Sequence, residues 1–176
     1  MAIRLNHTIV AAHDKNTAAM FLTEILGLPA PSLFGPFAVV RVSEDTSLDY
    51  IDADGEITSQ HYAFLVSEIE FDEIFARIRE RGLSYWADPG RHERDQINTW
   101  DDGRGLYFDD PSGHLLEIIT RPYGSGGTAA SRPHPLVART RGPEDHEGHR
   151  SGHQGKNGGD SLGAAEQPDA GRVASR

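Results

Sequence analysis

Four side chains in this sequence have the types and spacing to hold a divalent cation: His7, His61, Asp49 and Glu117. Glu117 stands in the run LLEII, where a carboxylate is costly to bury unless a partner compensates it. His7 lies near the start of NHTIVAA and His61 near the start of QHYAFLV, two runs with the residue choice of β-strands. Two neutral imidazoles and one carboxylate give two nitrogen donors and one oxygen donor, which leaves open positions on a first-row divalent metal for water or substrate. The chain has no cysteine, so thiolate centres and disulfides are excluded and any metal depends on His, Asp, Glu or water.

These residues are positioned by an internal repeat. Leu5 to Leu28 and Ser59 to Leu83 share one order of features: a strand with an early His, a helix start, an amphipathic helix and a Gly-Leu exit. Ala18, Phe21, Leu22 and Ile25 fall on one helical face, and Phe71, Ile74, Phe75 and Ile78 repeat that spacing. Ser67 and Glu70 form a capping box before the second helix, and Gly27 and Gly82 supply left-handed exits. Strand-like runs follow at 36–42 and 47–53 in the first half and at 84–87, 104–108 and 114–120 in the second.

The fold expected is α+β, with two paired βαβββ modules at about 1–57 and 58–123. A small sheet covered by one helix leaves its other face bare, and bringing two bare faces together makes a cup. Superposing the repeats sets His7 level with His61 and Asp49 level with Glu117. A cation held by His7, His61 and Glu117 would then explain the acid in the apolar strand. Asp49 is a fourth ligand, a hydrogen-bond acceptor behind the ligands, or a solvated edge residue. His114, three positions before Glu117, points to the opposite face of the strand and reads as a turn or surface residue. His13 reads as loop.

Residues 124–176 contain no Phe, Tyr, Trp, Ile or Met, too little apolar surface to offset the entropy of ordering, and are expected to form a disordered tail. His146, His149 and His153 within it are read as part of a solvated linker. The formal net charge is −10, and the tail holds seven basic and six acidic residues, so the acidity belongs to residues 1–123. An acidic domain argues against a phosphate-tracking nucleic-acid binder. No apolar run reaches the ~20 residues of a membrane span, and the N-terminal stretch lacks the pattern of a signal peptide, which makes a cytoplasmic location the default expectation.

The stretch DPGRHERDQINTWDD, 88–102, is long for a strand connection and has the character of a functional loop. From it and its flanks, Trp86, Arg91, Arg94, Asn98, Trp100 and Arg104 are candidates for gripping an oxygenated or aromatic ligand. His92 and Tyr107 are the acid/base candidates.

The strings NHTIV, QHYAFLV and above all YFDDPSGHLLEI resemble the vicinal oxygen chelate superfamily, which includes glyoxalases, extradiol dioxygenases, fosfomycin thiol transferases and bleomycin-binding proteins. The resemblance spans residues 3–123, and longer strings such as RLNHTIVAAHDK and GRGLYFDDPSGHLLEIITRPYG resemble its ChaP-type branch, associated with ring cleavage in aromatic polyketide antibiotic biosynthesis. It implies paired βαβββ modules around a metal cup with ligands at His7, His61 and Glu117, and places the fourth glyoxalase ligand on Asp49, where glyoxalases have Glu. The function implied is an Fe(II)-dependent dioxygenase cleaving an aromatic ring of a polyketide-type substrate with O2, with Mn(II), Ni(II) and Zn(II) as alternative metals. The alternatives are a lyase, isomerase or thiol transferase using the metal as a Lewis acid, and a metal-free antibiotic-binding protein. The short connection from Asp54 to Ser59 disfavours closure of the cup within one chain and predicts a domain-swapped homodimer with shared sites.

Overall fold

A computed structural model describes residues 3–138. The first module runs β1 (His7–Ala12), α1 (Lys15–Leu26), β2 (Ser32–Phe34), β3 (Phe37–Arg41) and β4 (Ser47–Asp52). The second runs β5 (His61–Leu65), α2 (Glu68–Glu80), β6 (Tyr85–Trp86), β7 (Gly105–Asp109) and β8 (Leu115–Ile119). Each makes a mixed four-stranded sheet, ordered β1-β4-β3-β2 and β5-β8-β7-β6. The first and last strands of each module pair in parallel, Ile9 opposite Asp49 and Ala63 opposite Glu117. The repeat is therefore real at the level of register: each His begins its strand, and each acid is the third residue of the strand beside it.

The helices form for the local reasons the sequence shows. Asp14 caps α1 by accepting from the Thr17 N–H at 2.8 Å, and Gly27, at φ 72°, ends it in the left-handed conformation that a Cβ would disfavour. Ser67 and Glu70 form both bonds of a capping box on α2. Ala18, Leu22 and Ile25 of α1 and Phe71, Ile74 and Ile78 of α2 are buried, as the helical spacing requires.

Alternation along the strands then decides how the modules meet. Val10, Ala12, Val40, Leu48 and Tyr50 from the first sheet and Leu106, Phe108, Leu116 and Ile118 from the second join the helix residues in one contiguous core. The even-numbered side chains of β1, β4, β7 and β8 face the helices and this core. The odd-numbered ones, including His7, Asp49, Tyr107 and Glu117, belong to the other faces. Within one chain the helix-covered faces share a core, and the two bare faces do not close on each other.

Three sequence expectations change. A strand absent from the sequence reading, β2, adds an exposed edge to the first sheet. His114 is not a surface residue: it is 1% exposed, its Nδ1 accepts from the Gln60 N–H at 3.0 Å, and its Nε2 lies 2.8 Å from the Ala11 carbonyl. It faces away from Glu117 as alternation demands, but that face is the core side, where both ring nitrogens are satisfied. The folded part also does not stop at 123. A 3-10 turn at Gly127–Ala129 and a short helix, α3 (Pro135–Ala138), continue the ordered chain. That segment is held by hydrogen bonds to Asp101 and Asp102 and by aromatic contacts, which a count of apolar residues does not register. Residues 139–176, with His146, His149 and His153, lie outside the described residues. Among the described residues no helix is long and apolar enough to cross a membrane.

Candidate functional site

Glu117 is fully buried in the middle of β8, and its carboxylate is the centre of the second module's bare face. The Tyr123 hydroxyl lies 2.6 Å from Oε1 and 2.5 Å from Oε2. Tyr107, on β7 beside Glu117 in register, completes a chain of bonds through its hydroxyl, 2.9 Å from that of Tyr123. Burial, followed by the bonds to the carboxylate, pushes both phenols above their ordinary range, so they remain donors at neutral pH.

His61 supplies the second arm. Its Nε2 is 3.1 Å from Glu117 Oε2, its Nδ1 is 3.1 Å from the Leu115 carbonyl oxygen, and its ring stacks on Tyr107 with centroids 5.9 Å apart. A carbonyl only accepts, so Nδ1 carries a proton. The lone pair of neutral Nε2 then faces a carboxylate oxygen, an arrangement that is favourable only with a proton or cation between the two. Tying the far nitrogen to a backbone carbonyl is also the usual way of orienting a metal-binding imidazole.

His7 follows the same pattern on the first module. Its Nδ1 is 2.8 Å from Asn6 Oδ1, leaving Nε2 for a ligand. His7 lines a cleft of about 430 Å3 together with Asp49, Ile9, Val39 and Arg41. Asp49 accepts from the Ser47 hydroxyl at 2.8 Å through Oδ1. Thus His61 and Glu117 meet, and His7 and Asp49 share a cleft, but the two pairs lie on separate faces. Among the described residues no group of three His, Asp or Glu converges on a common point.

The remaining candidates divide by what already holds them. His92 lines the His61 cavity, with its Nδ1 2.8 Å from Asp88 Oδ1 and its ring largely in solvent. Trp86 carries the Arg91 guanidinium 5.5 Å from its ring centre, and Arg91 pairs with Asp109 at 2.5 Å.

Two candidate ligand-gripping residues are corrected by their contacts. Asn98 is buried, donates to the Ala87 carbonyl at 2.8 Å and lies over Gly105, where a Cβ would come within 2.8 Å of its Oδ1. Its amide stabilises the loop. Arg104 lies over the Phe71 ring and pairs with Glu68 at 2.6 Å and Asp72 at 2.5 Å, on the helix side of the sheet. An even-numbered position beside β7 puts it on the wrong face to reach Glu117.

Sequence reasoning offered Trp100 as a grip on a ligand but missed Tyr123 and His134, and did not join the three in one site. With His61, Tyr107 and Pro135 they line a cavity of about 480 Å3. Trp100 and Tyr107 rings lie 6.4 Å apart, and His134 contacts both Trp100 and Tyr123. Tyr123, six residues past Glu117 and on the same side of the sheet, carried a local signal; His134 carried none.

Comparison with known proteins gives a consistent family picture. The pattern of the Glyoxalase/Bleomycin resistance protein/Dioxygenase superfamily matches residues 4–118. The chain is similar to the solved structure of Oxidase ChaP-H2, with 61% identity and a TM-score of 0.70 over 72% of this chain and 100% of that one. It is also similar to Oxidase ChaP-H1, at 60% identity and a TM-score of 0.69 over 70% of this chain and 100% of that one. Among curated sequences it is 29% identical over 121 residues to "Glutathione transferase FosA" of Serratia marcescens, covering 65% of this chain and 78% of that protein.

Proposed function

The chain belongs to the Glyoxalase/Bleomycin resistance protein/Dioxygenase superfamily, and within it we propose a metal-dependent dioxygenase that cleaves a ring of an oxygenated aromatic, polyketide-type substrate. Similarity to the ChaP-H oxidases supports oxidative chemistry. The single observation that carries a metal at this site is the His61 ring: with Nδ1 tied to a carbonyl, Nε2 faces a fully buried carboxylate, an arrangement that a cation between the two would satisfy. The donor set fits a divalent first-row ion, with Fe(II) the choice for O2 chemistry and Mn(II), Ni(II) or Zn(II) the alternatives.

His61 and Glu117 would hold the ion from one chain and His7 from a second copy, with Asp49 beside His7 as a further ligand or as its hydrogen-bonding neighbour. The fold supports this reading. The His7 face and the Glu117 face of one chain point away from their common core, so a site needing both requires another molecule. The His7 face also exposes Ile9, Leu33 and Phe34, apolar surface suited to burial against a partner.

When bound, the metal would supply chelation of two neighbouring substrate oxygens with O2 held alongside. The chain's own residues do the rest. Trp100, Tyr107 and Tyr123 give an aromatic wall that orients an aromatic ring. Tyr107 holds a proton at its hydroxyl, relayed through Tyr123 to the carboxylate, and is the better of the two acid/base candidates. His92 is more exposed and engaged with Asp88. A ring C–C bond breaks and both atoms of O2 enter the product.

The test is anaerobic loading with Fe(II), followed by oxygen monitoring with a panel of catechols and polycyclic quinols. Oxygen uptake matched to ring-opened product is expected, and an absence of uptake across the panel would remove the dioxygenase. Similarity to FosA favours a second reading, a Lewis-acid transferase. Against it, Arg104, a natural grip for an anionic substrate, is tied to Glu68 and Asp72 on the far side of the sheet.

A further inference from the structure

The segment from Pro122 to Leu136 returns across the face that carries His61 and Glu117, and its construction is that of a built wall. Asp101 is the anchor. It is 1% exposed, and its carboxylate accepts from the Gly124 N–H at 2.7 Å and the His134 N–H at 3.4 Å. Its own N–H donates to the Arg132 carbonyl at 2.7 Å. Asp102 accepts from the Ser131 N–H at 3.0 Å. Asp101 and Asp102 hold φ values of 53° and 58°, left-handed backbone that costs energy in a residue other than glycine and persists where the surroundings over-determine it.

This anchoring fixes one imidazole. The His134 ring stands edge-on to Trp100 at 4.7 Å and tilted against Tyr123 at 4.1 Å. Its Nδ1 accepts the Leu136 N–H at 3.2 Å, so the neutral ring carries its proton on Nε2. That Nε2 is shielded from solvent and has no hydrogen-bond partner among the described residues. A buried donor without an acceptor is rare in native proteins and calls for an explanation. His134 lines the cavity of about 480 Å3 whose other walls are the rings of Trp100, Tyr107 and Tyr123.

We propose that His134 is a ligand-binding residue of this cavity, its Nε2–H donating to an oxygen of a planar, oxygen-bearing aromatic molecule lying against Trp100 and Tyr123. The proposal rests on the substrate class given under Proposed function and adds the residue that reads its oxygens. The aromatic walls are tolerant of any flat ring, whereas a single desolvated donor discriminates a ring with a correctly placed acceptor from one without.

Two soluble probes separate these contributions: anthraquinone-2-sulfonate, which carries carbonyl acceptors, and anthracene-2-sulfonate, which has the same frame without them. Binding to the 176-residue chain is read by quenching of tryptophan fluorescence. His134→Phe is expected to weaken the quinone about tenfold while leaving the hydrocarbon within about twofold, and His134→Gln, which keeps a donor, to recover most of the loss. Equal losses for both probes would mean a structural role, and no loss for either would mean that Nε2–H only contacts the Trp100 ring. Either result overturns the proposal, as does a wild-type chain that does not prefer the quinone. Oxygen uptake by the Fe(II)-loaded wild type is independent of this comparison. Its failure alongside probe discrimination by His134 removes the oxygenase and leaves the binding residue, and the reverse removes only the binding residue.

Discussion

At the scale of single residues, the chemistry turns on how Glu117 is satisfied. A buried carboxylate whose two oxygens share the single Tyr123 hydroxyl donor must exchange that donor, at least in part, to bind an ion. Tyr123→Phe is therefore expected to lower the Tm of the metal-free protein, because Glu117 loses a charge-assisted bond, and to raise the Tm gain on adding Mn(II) or Fe(II). Equal gains in wild type and variant, measured by calorimetry, would mean that the phenol does not compete with the metal. The tyrosines with raised pKa also set an alkaline limit. Burial first, then neighbouring carboxylates, raise Tyr50, Tyr107 and Tyr123 above the ordinary tyrosine value of 10.0. A group raised in the folded state gives its full contribution below its unfolded pKa and loses it as pH rises toward the folded one. Melts between about pH 8 and pH 11 are expected to show Tm falling from near pH 10 upward, ahead of any exposed-tyrosine control.

At the scale of elements, each helix and loop carries its own fastening. Ser67 closes the capping box of α2, and Ser67→Ala is expected to cost about 1 kcal/mol by denaturant titration without moving probe affinity. Glu70, held below the usual carboxylate range by the Ser67 backbone N–H, contributes at neutral pH and loses that contribution as pH falls through its lowered value. The segment after β8 depends on Asp101 in a different way, through backbone donors that lose their acceptor if it is removed. Asp101→Ala is expected to speed chymotryptic cleavage after Tyr123 while the core melts cooperatively; unchanged cleavage would mean that the aromatic contacts alone hold the segment.

At the scale of the whole molecule, the proposed division of ligands between two outward faces would make a second copy of the chain part of the site. If His7 comes from a second copy, a His7→Ala chain mixed with a Glu117→Ala chain forms heterodimers in which one site is doubly damaged and the other intact. Neither variant alone is expected to bind metal tightly, whereas the mixture is expected to recover one site per heterodimer by isothermal titration. Failure to recover, with mixed dimers demonstrated by native mass spectrometry, would argue against cross-chain sharing of the site.

Much of this architecture was legible in the chain because it is written in local periods. The spacing of Ala18, Leu22 and Ile25 and of Phe71, Ile74 and Ile78, the Ser67 to Glu70 box, and the matched places of His7 with His61 and Asp49 with Glu117 all depend on neighbours a few positions apart or on repetition. Alternation along β8 was likewise enough to separate His114 from Glu117, though not to say that His114 would be buried. Which faces meet is a different matter. The shared core behind both sheets, the ion pairs that hold Arg104 on the helix side, the Ala87 carbonyl that claims Asn98, and the return of Tyr123 and His134 over Glu117 arise between residues far apart in the chain. Such contacts are selected by packing and by the pairing of buried polar groups, and no period in the chain encodes them.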